Sequence, residues 1–153
     1  MTSLNYNEIF SIFYAKVEAY DFLSLTIDEA NEFLCSWIRS VISKPYVRRL
    51  FTSISLDDEI QSLSYELKYS IDEETDRYFV TEVIGIGMII QWLEPKINST
   101  INIAQMFGSK EEKYYSQAAH LAELRALRDD LKRDQRGMIR DRGYAWNTYL
   151  DGE

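Results

Sequence analysis

Ser70-Ile-Asp-Glu-Glu-Thr-Asp-Arg-Tyr-Phe-Val-Thr-Glu-Val-Ile-Gly-Ile-Gly-Met-Ile-Ile-Gln-Trp-Leu-Glu-Pro95 is the stretch on which the fold turns. From Tyr78 to Leu93 it is apolar almost all round, and a helix with no polar side belongs at the centre of a bundle. Ser70 and Glu73 have the spacing of a capping box, so the helix should start near Ile71. Pro95 lacks an N–H and should end it. Gly85 and Gly87 would each cost about 0.8–1 kcal/mol against alanine inside a helix. Two readings account for them: close approach of a neighbouring helix, or a kink. Phosphate cradling is excluded, because no Lys-Ser/Thr follows and the surroundings are apolar.

The same start signal recurs on both sides. Asn5/Glu8, Thr26/Glu29, Ser55/Asp58 and Ser109/Glu112 share the spacing, and each opens a run with apolar residues three and four apart. Helix one should run from about Tyr6 to Ala19, burying Ile9, Phe10, Phe13 and Val17. Helix two should run from Ile27 to Ser43, burying Ala30, Phe33, Leu34, Trp37, Ile38, Val41 and Ile42, with Pro45 as its stop and one further turn over 46–51. Helix three should cover Leu56 to Tyr69 on Ile60, Leu63 and Leu67. After an apolar connector over 96–108, the last helix should run from Ser109 to Arg136. Tyr114, Ala118, Leu121, Leu124, Leu127 and Leu131 form its apolar face, opposite a crowd of charges.

The expected fold is therefore all-α, a bundle of about five helices with a long charged C-terminal helix. A helical domain over 1–137 is followed by an extended arm over 138–153. Six glycines and two prolines in 153 residues are too few for a sandwich or barrel, which needs turns every 8–12 positions. The lone cysteine, Cys35, cannot form an internal disulfide, which fits a reducing compartment. Val83–Leu93 is too short to cross a bilayer, and the first residues lack the order of a signal peptide. The chain should be soluble and made in a cytoplasm.

Net charge is −8, and residues 1–108 carry all of it. An acidic body is ill-suited to gripping duplex DNA. The basic run Arg125–Arg142 is interleaved with Asp129, Asp130, Asp134 and Asp141, as in a solvated face or a protein interface. Catalysis finds little support: His120 is the only histidine, it is distant in sequence from Cys35, and zinc would need more ligands. Asp28, Glu29 and Glu32, with Glu73 and Asp76, could hold Mg²⁺ and faintly resemble the acidic motifs of all-α nucleotide pyrophosphohydrolases. Both groups, however, sit in first turns, where acids serve the helix dipole. No enzyme, cofactor or metal site is expected. Tyr144, Trp146, Tyr149 and Leu150 crowd the end of the chain, so the arm should either fold back onto its own domain or dock into a partner's groove.

Gly85-Ile-Gly-Met, Trp92-Leu-Glu-Pro-Lys and Ser109-Lys-Glu-Glu-Lys-Tyr-Tyr-Ser-Gln-Ala-Ala-His-Leu-Ala-Glu-Leu together resemble the small helical head–tail connector (adaptor, neck) proteins of tailed bacteriophages. The likeness covers roughly residues 70–150 in texture, and the N-terminal part only in helical plan. It implies a virion protein made in the host cytoplasm, forming a homo-oligomeric ring, commonly a 12-mer, between the portal protein and the next neck or tail component. DNA would pass through without specific binding, and no membrane is involved. The arm would dock on the portal through Tyr144, Trp146, Tyr149 and Leu150, flanked by Arg136, Arg140 and Arg142. A small helical module that binds one cellular protein is the remaining alternative.

Overall fold

A computed structural model of the chain describes residues 1–17, 27–106 and 111–144. The elements run β1 (Thr2–Asn5), α1 (Tyr6–Val17), α2 (Ile27–Ser43), α3 (Pro45–Arg48), β2 (Phe51–Asp57), β3 (Ser62–Leu67), α4 (Glu73–Met106) and α5 (Glu111–Tyr144). The chain is thus not all-α. Among the described residues five helices accompany a three-stranded antiparallel sheet in the order β1-β3-β2.

The sheet replaces the helix expected over 56–69. Leu63, Tyr65 and Leu67 alternate, and a period of two buries all three on one face of β3. Ile60, which a helix would have buried, is 69% exposed in the turn. Gln61 adopts φ 50°, a left-handed turn conformation. Ser55 lies in β2 and caps nothing; the Asp57 carboxylate instead accepts the Glu59 and Ile60 amides at 3.1 and 3.4 Å. Leu56 pairs with Leu63 and Phe51 with Leu67, and across the other edge Leu4 pairs with Leu63. These cross-strand apolar pairs stabilise the sheet and seat it on the core.

The capping box at Asn5 forms. The Asn5 amide donates to Glu8 at 3.3 Å, and the Asn5 side chain accepts from the Asn7 amide at 2.9 Å. At the start of α4 the cap is Asp72, which accepts from both the amide and the hydroxyl of Thr75 at 2.7 and 2.8 Å. The expected Ser70 cap is diverted, because that hydroxyl donates to Asp76. The caps expected at Thr26 and Ser109 lie outside the described residues.

α1 buries Ile9, Phe10 and Phe13, and α2 buries Leu34, Ile38, Val41 and Ile42, while Phe33 is 49% exposed. Pro45 stops α2 and opens α3. α4 is central, touched by α1, α2 and α5. Its glycines serve close approach. A Cβ on Gly85 would lie 2.7 Å from Ile12 of α1, and one on Gly87 would lie 2.6 Å from Val41 of α2.

Two helix ends fall later than expected. Pro95 lies inside α4, which runs on to Met106. A proline there costs about 3 kcal/mol or more, and burial of Leu93 and Ile97 on either side opposes that cost. Gly137, the expected end of the domain, lies inside α5, so the first seven residues assigned to the arm are helical. Buried Ile139 and the inward Arg142 hold that last stretch against the body.

Gly87→Ala should destabilise by about 1–3 kcal/mol through overpacking. Gly143→Ala, where a Cβ meets nothing within 4 Å, should stabilise by about 0.4–1 kcal/mol. Urea denaturation of the two variants against the parent checks both signs.

Candidate partner-binding surface along α5

The inner seam of α5 repeats every seven residues. Leu124, Leu131 and Met138 are half-buried or buried, and with them alternate Leu121, Arg128, Gln135 and Arg142, also turned inward. Each polar member of the second set meets a partner on α4. Arg128 lies 3.6 Å from Glu94, which also faces Lys132 at 3.7 Å. The Gln135 side chain, 1% exposed, donates to the Val83 carbonyl at 2.9 Å and accepts from the Tyr46 hydroxyl at 3.3 Å. Gly87 makes the first of these bonds possible, since a Cβ there would stand 3.0 Å from the Gln135 nitrogen. Arg142 pairs with Asp76 at the start of α4. The three partners, Glu94, Val83 and Asp76, descend α4 as α5 ascends, so the ladder fixes an antiparallel register.

The last rung is an enclosed ion pair, with side chains 9% and 7% exposed. Asp76 also accepts from the Ser70 hydroxyl at 2.5 Å and the Ile71 amide at 3.0 Å. Burial pushes the Asp76 carboxyl up, but Ser70, Ile71 and Arg142 outweigh it and hold it below the usual carboxylate range. Arg142 further donates to the Tyr69 carbonyl at 2.9 Å and stacks 4.4 Å from the centre of the Phe79 ring. The guanidinium is therefore spent inside the chain and is not the free flanking contact expected of it.

The other expected contacts fall differently. Arg136 lies over the Tyr46 ring at 5.8 Å, and Arg140 is an exposed neighbour of Asp141. Tyr144 closes α5, but its side chain lies outside the described residues, as do Trp146, Tyr149 and Leu150. Arg136, Arg140 and Arg142 thus share one end of α5 but not one role. Leu127, expected on the apolar face, is 45% exposed. Its place on the seam is taken by Arg128.

A furrow that sequence reasoning did not anticipate runs beside this half of α5, between it and the α3–β2 and β3–α4 connections. Its apolar end, of about 270 Å³, is lined by Leu50, Leu67, Phe79 and Ile139 with Arg49, Lys68 and Arg142 around them. It continues past Tyr46, Arg136 and Arg140 to Lys44 and Lys132. The seven-residue spacing of Arg128, Gln135 and Arg142 was the signal available for the ladder. Nothing in the linear chain brings Arg49 and Lys68 to it.

Of the carboxylates weighed for Mg²⁺, Asp76 has its oxygens occupied by Ser70, Ile71 and Arg142. Glu32 and Glu73 are exposed, and the side chains of Asp28 and Glu29 lie outside the described residues. Among the described residues no three of His, Cys, Asp and Glu are placed to hold a metal ion. Burial raises the pKa of Cys35, assisted by the Asp58 charge, which disfavours the nucleophilic thiolate. His120 is exposed on α5. No described helix is long and apolar enough to cross a membrane. Comparison of the chain with models of protein families, with curated proteins and with solved structures finds no match.

Asp76→Ala should cost about 3–5 kcal/mol, because it strands a buried guanidinium. The pH dependence has a definite sign. Asp76, Glu8 (bonded to Arg77) and Asp58 (bonded to Arg39) all have depressed values in the fold. Their contribution is therefore complete above the unfolded carboxylate range of about 4 and is lost as pH falls through the lower folded values. Thermal unfolding between neutral and acid pH should show this limb, flatter in Asp76→Ala than in the parent.

Proposed function

We propose that the chain is a structural subunit of the neck of a tailed bacteriophage. It acts as an adaptor that assembles into a homo-oligomeric ring, commonly of about twelve copies, between the portal and the next tail component. The observation that carries this reading is the internal ladder of α5. Because Arg128, Gln135 and Arg142 hold α5 to α4 from within, the outer charges of the helix are not needed for the fold. Arg133 and Asp130, for example, are 78% and 63% exposed, and such a pair contributes little to stability. Those charges, with the exposed Leu127, suit lateral contacts whose register is set by charge complementarity.

The resemblance over residues 70–150 supplies the phage context. The acidic body supports a conduit role, since like charge keeps DNA from adhering to its wall. Docking on the portal is assigned to residues 145–153, with Trp146, Tyr149 and Leu150 as anchors and Arg136 and Arg140 as flanking charges. Arg142 is set aside because it is bonded to Asp76. The role requires no catalysis and no cofactor.

Mixing with the portal of the same phage should give rings by negative-stain electron microscopy, and a chain that stays monomeric with and without portal would refute the reading. Removing residues 145–153 should keep the fold by circular dichroism while abolishing portal binding. Removing 138–153 should instead destabilise the domain severely, because it deletes Ile139 and leaves Asp76 without Arg142.

A further inference from the structure

The order β1-β3-β2 leaves each outer strand with a free side, but the two sides differ. β1 spans four residues, and the Arg77 guanidinium donates to its Ser3 carbonyl at 3.4 Å. β2 spans seven residues, and among the described residues nothing pairs with its outer side. Such an edge presents a row of unpaired N–H and C=O groups, which proteins usually blunt with lysine, proline or an inward charge. Phe51-Thr-Ser-Ile-Ser-Leu-Asp57 has no proline and no charge before its last residue. Its one irregularity falls at the Phe51 end.

The charges that flank β2 complement their own order. Arg48 and Arg49 precede the strand, and Asp57, Asp58 and Glu59 close it. Arg48 donates to the Phe51 carbonyl at 2.9 Å, and Asp58 is paired with Arg39. Arg49 and Glu59 are both exposed, and neither makes a salt bridge among the described residues. Ile54 is the middle residue of β2, with Arg49 and Glu59 equally far along the chain on either side of it. A second copy paired antiparallel about Ile54 therefore brings Arg49 of each copy to Glu59 of the other, within the shift between Phe51 and Ser53. The same register sets Ile54 against Ile54 and Ser53 against Ser55. Ile54 is only half-buried on its own chain, so the central pair closes apolar surface that a lone β2 leaves partly open.

We infer that β2 is an interface between two copies of this chain, whose outer edges join antiparallel across a twofold axis into one continuous sheet, with Arg49 of each copy against Glu59 of the other. A second copy is favoured over an unlike strand because it carries the acidic and basic ends at the matching separation, and the axis satisfies both contacts at once. The inference stands without the neck reading. A twofold contact closes at two copies and cannot build a ring, which needs unlike surfaces, and it uses β2 rather than the outer face of α5. One strand edge is a small contact beside the roughly 1,200–2,000 Å² of standard complexes, so the dimer should dissociate at about 10–100 µM.

Sedimentation equilibrium of the intact chain through that range, without portal, tests this. Arg49→Glu and Glu59→Arg should each weaken the dimer about tenfold, since like charges then meet twice across the axis. The two variants mixed should dimerise as well as the parent, because opposite charges meet again at both contacts. Circular dichroism of each variant controls for folding. In the parent, hydrogen exchange of the β2 amides should slow as concentration rises, a readout that needs no variant. A parent that stays monomeric, β2 exchange indifferent to concentration, or a mixture that fails to recover would overturn the inference. Masses that climb past two copies would also overturn it, assigning the edge to an open chain of copies. Ring formation with portal, measured separately, reports on the neck reading, and either result there leaves the outcome of the mixture unaffected.

Discussion

The contact between Arg142 and Asp76 joins the two ends of the chain's longest packing relationship. α5 leans chiefly on α4, and at its C-terminal limit the hold is an enclosed ion pair rather than a cluster of leucines. Buried ion pairs are poor sources of net stability, since desolvation offsets much of the attraction. Their value is selectivity. An α5 displaced by one seven-residue step would set Gln135 against Asp76 and leave Arg142 without its acid. Apolar rungs alone would tolerate that slip far better.

The same pair ties the sheet to the helices. Asp76 takes the Ser70 hydroxyl and the Ile71 amide, and Arg142 takes the Tyr69 carbonyl, so the short link out of β3 is fastened at three points. Tyr65 is buried in the same strand, and its hydroxyl is the one buried side-chain polar atom among the described residues with no hydrogen-bond partner. At the opposite end of the sheet, Tyr6 donates to Asp58 at 2.7 Å and Arg39 donates to Asp58 at 2.8 Å, joining α1, α2 and the β2–β3 turn. Both of these charged contacts thus lie where separate elements converge.

The helices α1, α2, α4 and α5 were legible because their apolar spacing is strong and because Asn5 and Glu8 form the box that their separation implies. The hairpin was not, since Ile60, Leu63 and Leu67 satisfy helical spacing while Leu63, Tyr65 and Leu67 satisfy alternation. Pairing with β1 and β2, a non-local contact, decides between them. β1 has only Leu4 to announce it. Pro95 and Gly137 were read by local rules that tertiary packing overrides. At the candidate surface, the concentration of cations near the end of α5 was visible. The inward turn of Arg142 was not, because its acid lies sixty-six residues earlier.

Two helices of 34 residues are each about 50 Å long. Because α5 runs antiparallel to α4, the start of α5 at Glu111 and its end at Tyr144 stand at opposite extremes of the pair. The distance between those extremes is written in the number of turns between Arg142 and the start of α5.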